Sequence, residues 1–132
     1  MADVRDDAQV RRAVADVNMS SFLAVIGCTN PQEAYAASKG AISSLTTSMA
    51  VQLDGRGVHV NALAPGPIAT EHVEKFFPDP EARRSRLARV PLARFGTPDD
   101  AAELICFLAS DAASWLTGHV VMLDGGISVN YL

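Results

Sequence analysis

The period of apolar and polar positions changes several times along the chain, and each change marks an element. Between Ala8 and Val17, Val10, Val14 and Val17 recur at helical spacing with Arg11, Arg12 and Asp16 between them, which predicts a short helix. Val17 to Ile26 is dense in large and β-branched apolar side chains and stops at Gly27. Its first part is therefore predicted to be a buried strand running into a loop. The clearest helix spans about Glu33 to Asp54, because Ile42, Leu45, Met49 and Leu53 recur on one stripe and Gly55 follows as a stop. Val58 to Leu63 is an extended apolar run, and Pro65-Gly66-Pro67 behind it excludes helix, so a buried parallel strand ending in a loop is predicted.

Glu71 to Arg89 is polar, broken by Pro78 and Pro80, and carries Arg83, Arg84, Arg86 and Arg89 close together. A solvated helical excursion is a simpler reading of it than an anion-binding cluster. Thr97-Pro98-Asp99-Asp100 supplies an N-cap, a proline at the first helical position and acids in the first turn. The helix it starts would bury Ala101, Leu104, Ile105 and Leu108. Val120 to Leu123, set between Thr117-Gly118 and Asp124-Gly125-Gly126, predicts a last buried strand. Strand and helix alternate throughout, which argues for βαβ units and an α/β fold, a short parallel sheet with helices on both faces.

Composition bounds what such a fold does. A chain of 132 residues with 48% apolar content supports one core, so residues 1–132 are read as a single domain. With 20% charged residues and a net charge of -4, it builds no basic field for phosphate backbones, and nucleic acid is not an expected partner. Phe22 to Ile26 and Val120 to Leu123 fall far short of the roughly 18 apolar residues of a membrane span, so no membrane partner is expected. The opening Met1-Ala2-Asp3-Val4-Arg5-Asp6 is polar and acidic rather than a secretory leader, and a cytoplasmic location is the default expectation. Cys28 and Cys106 stand far apart with no second ligand at metal spacing, so no metal site is expected, and Cys106 reads as a small core residue.

Tyr35 and Lys39, four apart at the start of the long helix, leave the same face about one turn apart. An ammonium beside a phenol favours the ionised oxygen, so Tyr35 could give or take a proton. Alone the spacing is weak. Here it lies in Tyr35-Ala36-Ala37-Ser38-Lys39-Gly40-Ala41, preceded by Ser20-Ser21 and followed by Val58-His59-Val60-Asn61-Ala62-Leu63-Ala64-Pro65-Gly66 and Leu123-Asp124-Gly125-Gly126.

That ordered set, over about Val17 to Ile127, resembles the short-chain dehydrogenase/reductase family. The resemblance implies a truncated doubly wound, Rossmann-like sheet and hydride exchange between NAD or NADP and a carbonyl or secondary alcohol. Within it Tyr35 matches the catalytic Tyr and Lys39 the catalytic Lys, which in the family also bonds the nicotinamide ribose. Asn18-Met19-Ser20-Ser21 is similar to the family's strand end, where the second Ser acts, so Ser21 matches the catalytic Ser, with Ser20 as the alternative. Pro65-Gly66-Pro67-Ile68-Ala69-Thr70 resembles the segment whose backbone, at Ile68, and hydroxyl, at Thr70, meet the carboxamide. Asp3-Val4 resembles the strand end that touches adenine. Glu71 to Arg89 resembles the substrate lid. Small-molecule alcohols or ketones and homo-oligomerisation through the two main helices are the implied partners.

No strand, Gly-rich turn and helix of the kind that cradles a pyrophosphate stands in this sequence, and the family's catalytic Asn has no match, since Asn18 belongs to the strand before Ser20-Ser21. The expectation is a shortened chain, with a junction near Ala15 to Val17. A sheet so reduced leaves apolar edges that call for a partner. The competing expectation is a noncatalytic fragment that acts as an interaction or oligomerisation module.

Overall fold

The computed structural model describes residues 14–28, 30–77 and 79–130. Three strands, β1 (Val14–Met19), β2 (Val58–Pro65) and β3 (Val120–Leu123), form one parallel sheet in the order β1-β2-β3. Between them run α1 (Glu33–Leu53), the short α2 (Glu71–Glu74), α3 (Pro80–Leu87) and α4 (Pro98–Leu108). The register pairs Met19 with Leu63 and Pro65 with Leu123, so the carboxyl ends of all three strands open on one edge.

β1 begins three residues before Val17, and the helix predicted for Ala8 to Val17 is corrected over Val14 to Val17; the rest of that prediction lies outside the described residues. A few valines at helical spacing do not outweigh continuous pairing of Val14–Met19 against Val58–Leu63, because Val, Asp and Asn in alternation suit a pleat equally well.

α1 forms where its spacing predicts, but it does not bury the predicted stripe. Its buried residues are Thr46 and Ala50, whereas Ile42, Met49 and Leu53 of that stripe are half-buried and Leu45 is 53% exposed. Asn18 donates to the Thr46 hydroxyl (3.1 Å), which fixes the face of the sheet that α1 covers. Asn18 is in register with Ala62, so Val60, Ala62 and Ala64 face α1 as well. Small side chains on both sides allow close approach, and the Thr46 hydroxyl, donating to the Ile42 carbonyl (2.8 Å), is satisfied within its own helix. Apolar periodicity alone cannot report a seam built from Ala and Thr.

Both faces of β2 are closed: Val60, Ala62 and Ala64 on one side and Leu63 on the other are all 0% exposed. α4 packs against β2 and β1. Thr97 caps α4 by accepting from the Asp100 N–H while Asp100 accepts from the Thr97 N–H, a reciprocal capping box. Arg94 grips the same Asp100 carboxylate with both terminal nitrogens, at 2.7 and 2.8 Å. Leu108 is buried, but Cys106 is exposed, which corrects the core reading of that thiol. Two positions along a helix turn about 200°, so Cys106 and Leu108 point to opposite sides. Beyond β3, Ile127 joins Phe22, Leu23 and Val90 in the main apolar cluster, with Ile26 and Met122 packed on it.

Candidate active site

The site grows from the carboxyl edge of the sheet. β1 ends at Met19, and Ser20 and Ser21 lead into a 3-10 turn over Phe22–Ala24. The two serines, both buried, do different things. Ser20 is tied to α1, with its hydroxyl donating to the Lys39 carbonyl (3.0 Å) and sharing a hydrogen bond with the Ser43 hydroxyl (2.8 Å). Ser21 caps the 3-10 turn, accepting from the Leu23 N–H at 3.3 Å, and its own proton is free to donate elsewhere.

Tyr35 and Lys39 sit in the first two turns of α1, and the Lys39 ammonium lies 5.7 Å from the centre of the Tyr35 ring. The same ammonium donates to the Met19 carbonyl at 2.9 Å. That bond uses one of its three N–H groups and fixes α1 against the end of β1. Tyr35 is 45% exposed, so its phenol is reachable from outside. The 3-10 turn, by contrast, is packed.

On the neighbouring strand, the Ser20 N–H donates to the Leu63 carbonyl (2.7 Å), which carries the β1–β2 pairing up to the serines. Pro65 ends β2, and Gly66 passes so close to β3 that a Cβ on it would lie 2.7 Å from the Asp124 Cα. Ile68 bridges to Gly96, with Gly96 donating to the Pro67 carbonyl and Ala69 to the Gly96 carbonyl. In this pattern the Ile68 N–H has no acceptor among the described residues. Thr70 caps α2 by accepting from the Val73 N–H (3.3 Å), leaving its hydroxyl proton available. Ile68 thus offers a backbone donor and Thr70, two residues on, a hydroxyl that can both donate and accept. Asp3 and Val4 lie outside the described residues.

Asp124, noticed in the sequence only as part of a motif, braces the far wall: it accepts from the Gly126 and Ser128 N–H groups, each at 2.9 Å. Burial works against its charge, but these hydrogen bonds outweigh burial and hold the carboxyl below its ordinary range. A second feature the sequence did not announce is a cavity of about 180 Å³ behind the 3-10 turn, lined in part by Leu23, Ile26, Arg86, Arg89 and Ile127. Solvated arginines on a polar segment gave no sign of it.

In sequence and in fold the chain is similar to known proteins. Residues 10–128 match the family described as enoyl-(acyl carrier protein) reductase. A 3-oxoacyl-[acyl-carrier-protein] reductase of Thermotoga maritima is 47% identical over 115 residues, which is 86% of this chain and 45% of that protein. Among solved structures, the Pseudomonas aeruginosa RhlG/NADP active-site complex superimposes with a TM-score of 0.81 at 29% identity, over 91% of this chain and 49% of that one. A 4-hydroxyisoleucine dehydrogenase complexed with NADH gives 0.82 at 30% identity, over 95% and 51%. The chain spans about half the length of the curated relatives it matches.

Proposed function

The chain belongs to the short-chain dehydrogenase/reductase family, and from that premise we propose that it carries the proton-transfer machinery of an NAD- or NADP-dependent oxidoreductase acting on a small alcohol or ketone. The observation that supports this most is the Lys39 ammonium, placed beside the Tyr35 ring and tied to the end of β1 immediately before Ser20-Ser21. A bound nicotinamide supplies the carbon that gives or takes the hydride. Tyr35 moves the proton: in the reducing direction it donates to the carbonyl oxygen as hydride reaches the carbon, giving a secondary alcohol. Lys39 places its positive charge beside the ring that carries the reacting oxygen. Ser21, with its proton free, donates to the same substrate oxygen and holds it in line.

The free N–H of Ile68 and the hydroxyl of Thr70 would hold the carboxamide, and Pro65 and Gly66 set the turn that presents them. In this reading Tyr35 and Lys39 act on the substrate from α1. Self-association fits the outer side of α1, where Leu45 and Val51 stand in water in the single chain.

The test is Tyr35→Phe in the active protein, with turnover of a panel of alcohols and ketones followed through NADH and NADPH absorbance. Turnover should fall at least about a hundredfold, the lower end of what one general acid–base group contributes, with the melting temperature unchanged. A variant that keeps its turnover would remove Tyr35 from the reaction.

A further inference from the structure

We propose that the cavity behind the 3-10 turn binds a small aliphatic carboxylate, held by Arg86 at its inner wall and Arg89 at its mouth. The cavity lies between Phe22–Ala24, the end of α3 and the turn Ile127–Val129, and holds about 180 Å³. At about 30 Å³ per water, that is space for a chain of roughly six heavy atoms.

Its chemistry is divided. One wall is apolar and immobile, because Phe22, Leu23 and Ile127 belong to the main core cluster, with Ile26 packed on it. The other wall is cationic. Arg86 is half-buried, and its Nε is shut off from water with no hydrogen-bond partner. Arg89 joins it, and the Asn130 amide donates to the Arg89 carbonyl (3.1 Å), which fastens the C-terminal turn over the end of α3.

A guanidinium nitrogen removed from water and left unpaired is costly, and other arginines of this chain do not bear that cost. Arg94 is paired to Asp100 at 2.7 Å, and Arg83 lies over the Phe95 ring at 4.7 Å. Arg86 stacks on Phe77 at 5.6 Å, which fixes the guanidinium without satisfying its Nε. Among the described residues no carboxylate pairs with Arg86 or Arg89. A ligand in the cavity meets the terminal nitrogens of Arg86 and Arg89 rather than the enclosed Nε, and a carboxylate is the planar, two-oxygen anion that such terminal nitrogens hold in parallel hydrogen bonds. The apolar wall opposite selects an anion with an aliphatic body over a bare inorganic one.

The cavity shares Phe22 and Leu23 with the turn that Ser21 caps. If Tyr35 and Ser21 act as proposed above, the carboxylate belongs to the substrate, which is then an oxo- or hydroxy-acid; that last step rests on the oxidoreductase reading, whereas the binding site itself does not.

Binding is therefore tested with no nicotinamide present and with acids that cannot react: acetate, butyrate and hexanoate titrated into the purified chain, followed by amide chemical shifts. Butyrate, with six heavy atoms, should bind more tightly than acetate, and hexanoate, with eight, no more tightly than butyrate, with shifts centred on Leu23, Gly27 and Arg86. Arg86→Met should weaken binding about tenfold or more, the loss expected for one charge-assisted contact. Arg84→Met, an equal change of charge outside the cavity lining, should leave it unaltered. Arg89→Met, at an exposed position that also lines the cavity, should weaken binding as well, and it provides the test if Arg86→Met proves unstable. Equal binding of all three acids, equal or tighter binding of inorganic phosphate, or binding untouched by Arg89→Met overturns the proposal. Because no turnover is read, its failure leaves the Tyr35 chemistry standing, and inactivity at Tyr35 leaves this site standing.

Discussion

Replacing either of two glycines by alanine should move stability in opposite directions. At Gly66 the added methyl would sit 2.7 Å from both the Asp124 Cα and Cβ and 3.3 Å from its carbonyl oxygen. The Cα is backbone and cannot rotate aside. Gly66 is also bonded to β3, its N–H donating to the Leu123 carbonyl at 2.9 Å, while Asp124 is held by Gly126 and Ser128. The ends of β2 and β3 must therefore part. Overpacking of this kind costs about 1–3 kcal/mol, offset by about 0.4–1 kcal/mol because alanine restricts the unfolded chain. A net loss of about 1–2 kcal/mol, at roughly 3–5 °C per kcal/mol for a domain of this size, lowers the melting temperature by about 3–10 °C. Gly40, inside α1, meets nothing within 4 Å, so Gly40→Ala gains about 0.5–1 kcal/mol of helix preference and should melt about 2–5 °C higher. Both are read by far-ultraviolet circular dichroism at one protein concentration, since association shifts the midpoint. A Gly66→Ala protein that melts at or above the parent would refute the close approach of the two strand ends.

Leu63, fully buried in β2, should cost about 2–5 kcal/mol as Leu63→Ala in urea titration, and a loss under about 1 kcal/mol would mean the sheet is not covered on that side. Asp100 is held well below the usual carboxylate range, first by the hydrogen bond from Arg94 and then by those from Thr97. A lowered native value adds stability that is full above the unfolded value of about 4 and drains away as pH falls below it. The gap in melting temperature between the parent and Asp100→Asn should accordingly be constant from pH 5 to 8 and narrow below about 4; a gap that widens in acid would contradict this sign. Val51→Asp, at a position 78% exposed, should lower the sedimenting mass if the outer side of α1 joins chains, and an unchanged oligomer would place the interface elsewhere.

Physical range decides what the sequence could disclose. Tyr35 and Lys39 were legible as neighbours because one helix carries both, and spacing along a helix fixes distance without any knowledge of the rest. The cap of α4 was legible for the same reason, Thr97 and Asp100 closing their box within one turn. The buried side of α1 was not, because Thr46 and Ala50 are what it buries, Thr46 against Asn18, and a seam of small residues carries almost no apolar period. Nor was the cavity, whose walls come from three stretches far apart in sequence, around Leu23, Arg86 and Ile127. Four arginines between Glu71 and Arg89 look alike in sequence. What separates Arg86 from Arg84 is its surroundings: Arg86 lines the cavity together with Phe22, Leu23 and Ile127 and stacks on Phe77, and its Nε is shut off from water without a partner. Chemistry set by a single element can be read from spacing, whereas chemistry that depends on desolvation requires the register of the sheet. Here the pairing of Met19 with Leu63 and of Pro65 with Leu123 brings together the three strand ends, and the apolar wall of the cavity, Phe22, Leu23 and Ile127, follows directly on two of them.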